Sequence, residues 1–184
     1  MYPFMRFFWV LATAKGRGAM TPDDASELPM IAWPWDCDPF VELNNGRQLT
    51  LFDLGRFDLG ARTGLLKLLK DKRWGLTVAG SSMQYRKRIT PFQRVTLRTE
   101  LLGRDERWFY IGQVFERRGE ACSQGLLRTA VLAPGRGIVP TQEVADALGW
   151  SDWNRPPPAW VSAWIEAEKT RPWPPERHTD RASR

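Results

Sequence analysis

The sequence predicts an α+β fold in which one long helix lies against a curved antiparallel sheet of about five strands. Residues 44–63 repeat apolar side chains at helical spacing behind Asn44, a residue type that caps helices. From Trp74 the character changes to strands, separated by turn signals at Thr90-Pro91, Gly103-Arg104-Asp105-Glu106 and Arg117-Arg118-Gly119-Glu120. The order is strand, long helix, then an antiparallel run of strands, with no internal repeat.

Taken in order, Glu27–Trp33 reads as the first strand, with Pro29 pointing to an edge because proline cannot donate to a ladder. In the helix from Asn44 to about Thr63, Leu49, Phe52, Phe57 and Ala61 supply the apolar face. Gly55 and Gly60 lower its intrinsic propensity, so tertiary burial must hold it. Gly64 ends it, and Leu65–Lys70 adds a short helical turn or two. Leu76–Ile89 is a long strand stopped by Thr90-Pro91. Val95, Leu97, Thr99 and Leu101 alternate with Thr96, Arg98 and Glu100, the period of a half-buried strand. Trp108–Glu116 and Ala121–Leu132 pair across a hairpin, and Thr141–Leu148 and Pro156–Lys169 are short helices. The organisation expected is an apolar segment and linker over 1–26, a main domain over 27–150, a Trp-rich helix over 151–170 and a disordered tail over 171–184.

The N-terminal segment Met1–Ala14 is apolar but interrupted by Arg6, whereas a membrane-spanning helix needs about 20 apolar residues. Lys15-Gly-Arg-Gly follows where a signal-peptide cleavage site would stand. Two readings remain: a helix packed on the domain or on a subunit interface, or an interfacial anchor giving weak peripheral membrane contact through residues 1–14. Four of the ten tryptophans, Trp150, Trp153, Trp160 and Trp164, cluster in one late segment, residues 150–164, and suggest a docked C-terminal element.

A chain of 184 residues supports one domain with a sizeable core. Its net charge of +6 favours anionic partners: nucleic acid, anionic lipid or a phosphate-bearing cofactor such as coenzyme A. No RNP-like aromatic motif or zinc module is present, so nucleic acid is not expected as a partner. The two cysteines, Cys37 and Cys122, form no CxxC pair, which fits a reducing, cytoplasmic compartment. The single histidine, His178, lies in the polar tail, which argues against a His-based triad and a His-ligated metal. Catalysis must then come from carboxylates, backbone donors and Lys or Arg, with no metal.

Asp36-Cys37-Asp38-Pro39-Phe40-Val41-Glu42-Leu43-Asn44-Asn45-Gly46 runs straight into the capped helix. Carboxylates therefore sit beside free backbone N–H groups, which attract developing negative charge and suit hydrolysis of an acyl group. Asp36 and Asp38 also suit turn and capping positions, Asp53 also suits a pair with Arg56 or Arg47, and Asn44 is a cap first. Arg86-Lys87-Arg88, with Arg94 nearby, either grips phosphates or forms a solvated basic edge. Cys37, between two acids, should have a raised pKa and pack passively.

In Asp36-Cys37-Asp38, Leu43, Asn44 and Asn45 the chain resembles the hotdog-fold acyl-CoA thioesterases. It is most similar to their 4-hydroxybenzoyl-CoA thioesterase-like group, and there to the branch of thioesterase superfamily member 6. The branch's likeness continues in Gly46-Arg47, Asp53, Arg56, Tyr85-Arg86-Lys87-Arg88, Pro91-Phe92-Gln93-Arg94 and Asp105-Glu106-Arg107-Trp108-Phe109-Tyr110. It spans about Glu27 to Val139 and extends weakly into the last helix. Departures fall within the loop and the helix start: Glu42 where the family has His, Val41 or Phe40 where Gly is frequent, and Gln48 where an aromatic is common. The resemblance implies a homodimer or higher homo-oligomer that builds an acyl-CoA site at its interface, with coenzyme A entering only as part of the substrate. Asp38, or alternatively Asp53, would serve as nucleophile or base, with Asn44 as a further site residue. Asn45 and Gly46 would bind the thioester oxygen, and Arg86 and Arg88 the CoA phosphates. The alternative is a catalytically weak hotdog protein that binds acyl ligands or serves in assembly.

Overall fold

The computed structural model describes residues 2–175. In chain order the elements are α1 (Phe4–Ala14), β1 (Ala25–Ile31), α2 (Asn45–Arg62), α3 (Leu65–Lys72), β2 (Gly75–Tyr85), β3 (Arg94–Arg104), β4 (Phe109–Arg117), β5 (Glu120–Ala133), a two-residue β6 (Gly137–Ile138), α4 (Thr141–Ala147) and α5 (Ala159–Lys169). Single 3-10 turns form at Lys15–Arg17 and Pro34–Asp36. The expected C-terminal tail falls mostly at residues 176–184, His178 included, outside the described residues.

All strand pairings are antiparallel, in the order β1-β3-β4-β5-β2, with β6 on β5. Cross-strand register puts Leu28 opposite Leu97 and Leu97 opposite Phe115. All three are fully buried and face α2, where the Phe52 ring stacks on Phe115 with centroids 5.1 Å apart. A long helix wrapped by a curled antiparallel sheet is the hotdog arrangement, as the motif resemblance implies.

Gly55 explains how α2 comes so close to that sheet. A Cβ there would collide with the Thr99 hydroxyl and press on Leu97 and the Gln113 amide. The glycine that weakens the helix as a sequence thus permits its packing. Gly55→Ala should lower stability by about 1–3 kcal/mol through overpacking, despite a propensity gain of about 1 kcal/mol. Urea unfolding of the two proteins checks the sign.

The other face of the sheet takes α5. Val161 packs against Tyr110 and Leu126, and Arg128 lies between two indoles, 5.0 Å from the Trp108 centroid and 5.4 Å from that of Trp164. Of the four late tryptophans, Trp164 packs here, Trp150 and Trp153 pack against the cluster around Leu59 and Val131, and Trp160 is exposed.

At the other end of the chain, α1 packs along α2. Val10 and Ala14 are buried, Val10 joins the core of Leu28, Leu97 and Phe115, and Phe7 meets Phe57 edge-on at 4.7 Å. Two buried carboxylates clasp this segment. Arg6 donates to Asp36 at 2.6 Å, and Arg17 donates to Asp58, which also accepts from Ser26 Oγ at 2.6 Å and Arg62 at 3.3 Å. The outer face of α1 leaves Phe4, Met5, Phe8 and Trp9 exposed. Among the described residues no helix is long and apolar enough to cross a membrane.

β2 stops at Tyr85, short of Ile89. The N–H groups of Arg86 and Lys87 both turn to the Cys122 carbonyl, and Ile89 folds inward, where its carbonyl accepts from Leu43 N at 2.7 Å. That turn brings the basic segment against the acidic loop.

Candidate active site

The start of α2 is built by the loop before it. Asn44 Oδ1 accepts from Arg47 N at 3.0 Å, so the expected cap forms. The first-turn N–H groups of Asn45 and Gly46, both on exposed residues, have no intrahelical acceptor. Gln48, at the position where the family favours an aromatic, is buried. It donates to the Leu43 carbonyl at 3.2 Å and accepts from Ser123 Oγ at 2.5 Å.

The two acids of the loop have different fates. Asp36 is fully buried: one oxygen accepts from Arg47 Nε at 2.7 Å, the other from Arg6 Nη2 at 2.6 Å and from Trp33 N at 3.1 Å. With both oxygens committed to cations it is a clasp, not a base. Asp38 is half-buried, and its Oδ1 accepts from Phe40 N at 2.9 Å. Its backbone closes a tight loop with Val41 and Glu42, again at 2.9 Å each. Oδ2 carries no protein hydrogen bond among the described residues, so this carboxylate keeps a free acceptor. The loop turns through Val41 at a φ of 59°, a left-handed conformation that glycine adopts readily and a β-branched residue resists.

Glu42 is tied to Arg88, whose Nε lies 2.5 Å from its carboxylate and whose Nη2 donates to the Phe40 carbonyl at 2.8 Å. Arg88 therefore braces the loop, Lys87 pairs with Glu120 at 2.6 Å, and Arg86 is exposed with no ion pair among the described residues. The basic edge is partly spent on the protein's own acids.

Asp53 sits in other surroundings. It pairs with Arg56, as the helix spacing suggests, and Arg56 also donates to Gln113 Oε1 at 2.7 Å. Burial raises the Asp53 pKa above the ordinary carboxylate value, opposed by the Arg56 charge. The Cys37 thiol is also pushed up, first by burial and then by Asp36 and Asp38, so it is poorly placed as a nucleophile.

A cleft of about 1090 Å³ opens beside the helix start, lined among others by Trp33, Trp35, Asp36, Cys37, Asn44 and Arg47. Of the site residues expected from sequence, only Asn44 lines it. Arg47 and the stacked Trp33–Trp35 pair, with centroids 5.2 Å apart, were not anticipated. The signal for the tryptophans is the Trp33-Pro34-Trp35 run just ahead of the acidic loop, and that for Arg47 is its place in the Gly46-Arg47 likeness.

Comparison with known proteins places these features. The Drosophila melanogaster protein THEM6 is 36% identical over 93 residues, covering 50% of this chain and 48% of that protein. The chain spans about half the length of the curated relatives it matches. The fold is similar to that of YbaW, a probable thioesterase from Escherichia coli, with a TM-score of 0.63 at 12% identity over 68% of this chain and 96% of that one. It is also similar to SAV2348 from Staphylococcus aureus, a hypothetical protein solved in complex with CoA, with a TM-score of 0.61 at 11% identity over 78% of this chain and 93% of that one. Finally, the family model of the thioesterase-like superfamily matches residues 32–176, and the chain belongs to that superfamily.

Proposed function

We propose that this protein hydrolyses the thioester of an acyl-CoA. The observation that supports this reading is the order of features entering α2: Asp38, whose Oδ2 accepts no hydrogen bond among the described residues, lies in the tight loop six residues before the cap Asn44, and the first-turn N–H groups of Asn45 and Gly46 have no intrahelical acceptor. Asp38 either attacks the thioester carbonyl, expelling the CoA thiolate to leave an acyl anhydride that water cleaves, or it deprotonates the attacking water. In both routes the N–H groups at the helix start stabilise the oxyanion. CoA bound to the Staphylococcus aureus neighbour, on the same fold, supports the ligand class. Within the Arg86-Lys87-Arg88 segment Arg86 is the cation without an ion pair among the described residues and would meet the phosphates, with Arg88 contributing from its place in the loop brace. No cofactor is required, since coenzyme A arrives with the acyl group. Cys37 and Cys122 are both free, which supports a cytoplasmic setting.

A second reading, a hotdog protein that binds acyl ligands without turning them over, is favoured by the Glu42–Arg88 pair at the position where the family carries histidine. Steady-state hydrolysis across a panel of acyl-CoAs separates the two: turnover supports the first, and binding without turnover the second.

We also infer a homodimer joined through β2. That strand forms an edge of the sheet, and none of its eleven residues is buried, although Leu76, Val78 and Tyr85 are large and apolar. An unpaired, apolar edge this long invites pairing, and a two-fold partner strand closes it. Light scattering at micromolar concentration should give twice the chain mass, and Val78→Lys should shift it toward the monomer. A monomeric wild type would refute the dimer.

A further inference from the structure

A second cleft, of about 620 Å³, opens between α1 and the β1 side of the sheet. Its walls are apolar, formed by Trp9 from α1, Met30 and Ile31 from β1, Leu54 from α2 and Val95 from β3. Cations dominate its polar lining. Arg94 and Arg118 are exposed and make no ion pair among the described residues, and Glu116 is the single carboxylate that lines the cleft. Arg6 lines it too: its Nη2 holds Asp36, while its Nη1 is buried without a hydrogen-bond partner. A buried guanidinium N–H in that state favours an acceptor brought by a ligand.

Volume and chemistry agree. Clefts of about 300–1,000 Å³ are the size that holds small molecules. Apolar walls exclude a bare anion as the natural occupant, and three arginines exclude a neutral hydrocarbon. We propose that this cleft binds an amphiphilic anion, a single hydrocarbon chain ending in a carboxylate or phosphate. The chain lies along Trp9, Met30 and Val95, and the head group meets Arg94 and Arg118, where charge-assisted hydrogen bonds are strong. Arg6, Trp9 and Val10 of the cleft's lining come from α1, so the site depends on the clasped N-terminal segment. It borders the cleft beside the start of α2, with which it shares Arg6 and Trp33, but Asp38 does not line it, and the proposal holds whether or not the protein turns over acyl-CoA.

The test is isothermal titration of the full chain, below the micellar concentration of each probe, with oleate, dodecyl phosphate and oleyl alcohol. Oleate or dodecyl phosphate should bind with one molecule per chain, and the tighter of the two identifies the head group. Oleyl alcohol, which lacks the charge, should bind about tenfold or more weakly. The Arg94→Gln/Arg118→Gln double variant changes two exposed side chains and should unfold at the wild-type temperature, yet lose about tenfold or more in affinity for the anions. Asp38→Asn should bind them as wild type does. The proposal is overturned if neither anion binds, if the double variant or the uncharged alcohol matches the wild-type affinity for the anions, or if Asp38→Asn abolishes binding, which would place the ligand at the start of α2.

Discussion

Replacing Asp38 by asparagine is expected to slow thioester hydrolysis by ~100-fold or more while leaving the fold in place, since removal of a nucleophile or base costs rate and not packing. The fold should survive because the contact that Asp38 makes within the protein, acceptance from Phe40 N, is one that an asparagine Oδ1 can reproduce. What asparagine lacks is the negative charge at the free oxygen. Asp53→Asn should act mildly, by loosening Arg56 and through it the hydrogen bond to Gln113. Asp53 lies nine residues beyond the cap, roughly 13 Å along the helix at about 1.5 Å per residue. The pH profile gives an independent discriminator. Burial raises the Asp53 pKa, so a reaction that used its carboxylate would lose rate on acidification at a pH above the ordinary Asp range. Rates of both variants against pH, beside their thermal unfolding, decide the matter. Loss of hydrolysis in Asp53→Asn with retention in Asp38→Asn would make the helix carboxylate the catalyst.

Asp58→Ala is expected to produce the largest loss of stability of any single change considered. Asp58 is fully buried and accepts from Arg17, Arg62 and Ser26. Its removal strips two guanidinium groups of their carboxylate, leaving them backbone and hydroxyl acceptors, and takes the acceptor of Ser26 Oγ, and breaking a buried ion pair from one side costs about 3–5 kcal/mol. Both arginines keep some solvent access, with side-chain exposures of 22% and 14%, which places the effect toward the lower end. For a chain of this size that corresponds to a fall in Tm of roughly 6–12 °C. Differential scanning calorimetry of Asp58→Ala against the exposed-pair variant Asp71→Ala makes the comparison, since the Lys67–Asp71 pair is solvent-exposed and should contribute little. Equal melting temperatures for the two variants would refute the buried role.

The features that could be read from sequence are those encoded locally. Asn44 announces a helix start by its own side chain, and the alternation of Val95, Leu97, Thr99 and Leu101 announces a strand by its period. Pro29 marked an edge, and β1 is one. What could not be read depends on partners far away in the chain. Asp36 and Asp38 are chemically alike and two positions apart, yet Asp36 is neutralised by Arg6, thirty residues earlier, and Asp38 is not. Arg17 reaches Asp58 across forty-one residues, and the nearby Arg62 at i+4 reads in the sequence as an ordinary helix-surface pair, not as a partner of a buried anion. The reach of Arg88 to Glu42 across forty-six residues has no local signal either. Gly55 was readable only as a weakness, because the atoms that its missing Cβ spares belong to β3 and β4.

The two clasps change what kind of element the N-terminal helix is. A short helix at a chain end ordinarily frays, opening and closing many times for each global unfolding event. Here, lifting α1 with the turn that follows it would uncover Val10 and Ala14 and strip Asp36 and Asp58 of Arg6 and Arg17 in the same motion. Those losses fall together and not residue by residue, so the terminal segment belongs to the same cooperative unit as the central helix. In dynamic terms the helix and its following turn, Phe4–Arg17, should open only when the central helix does.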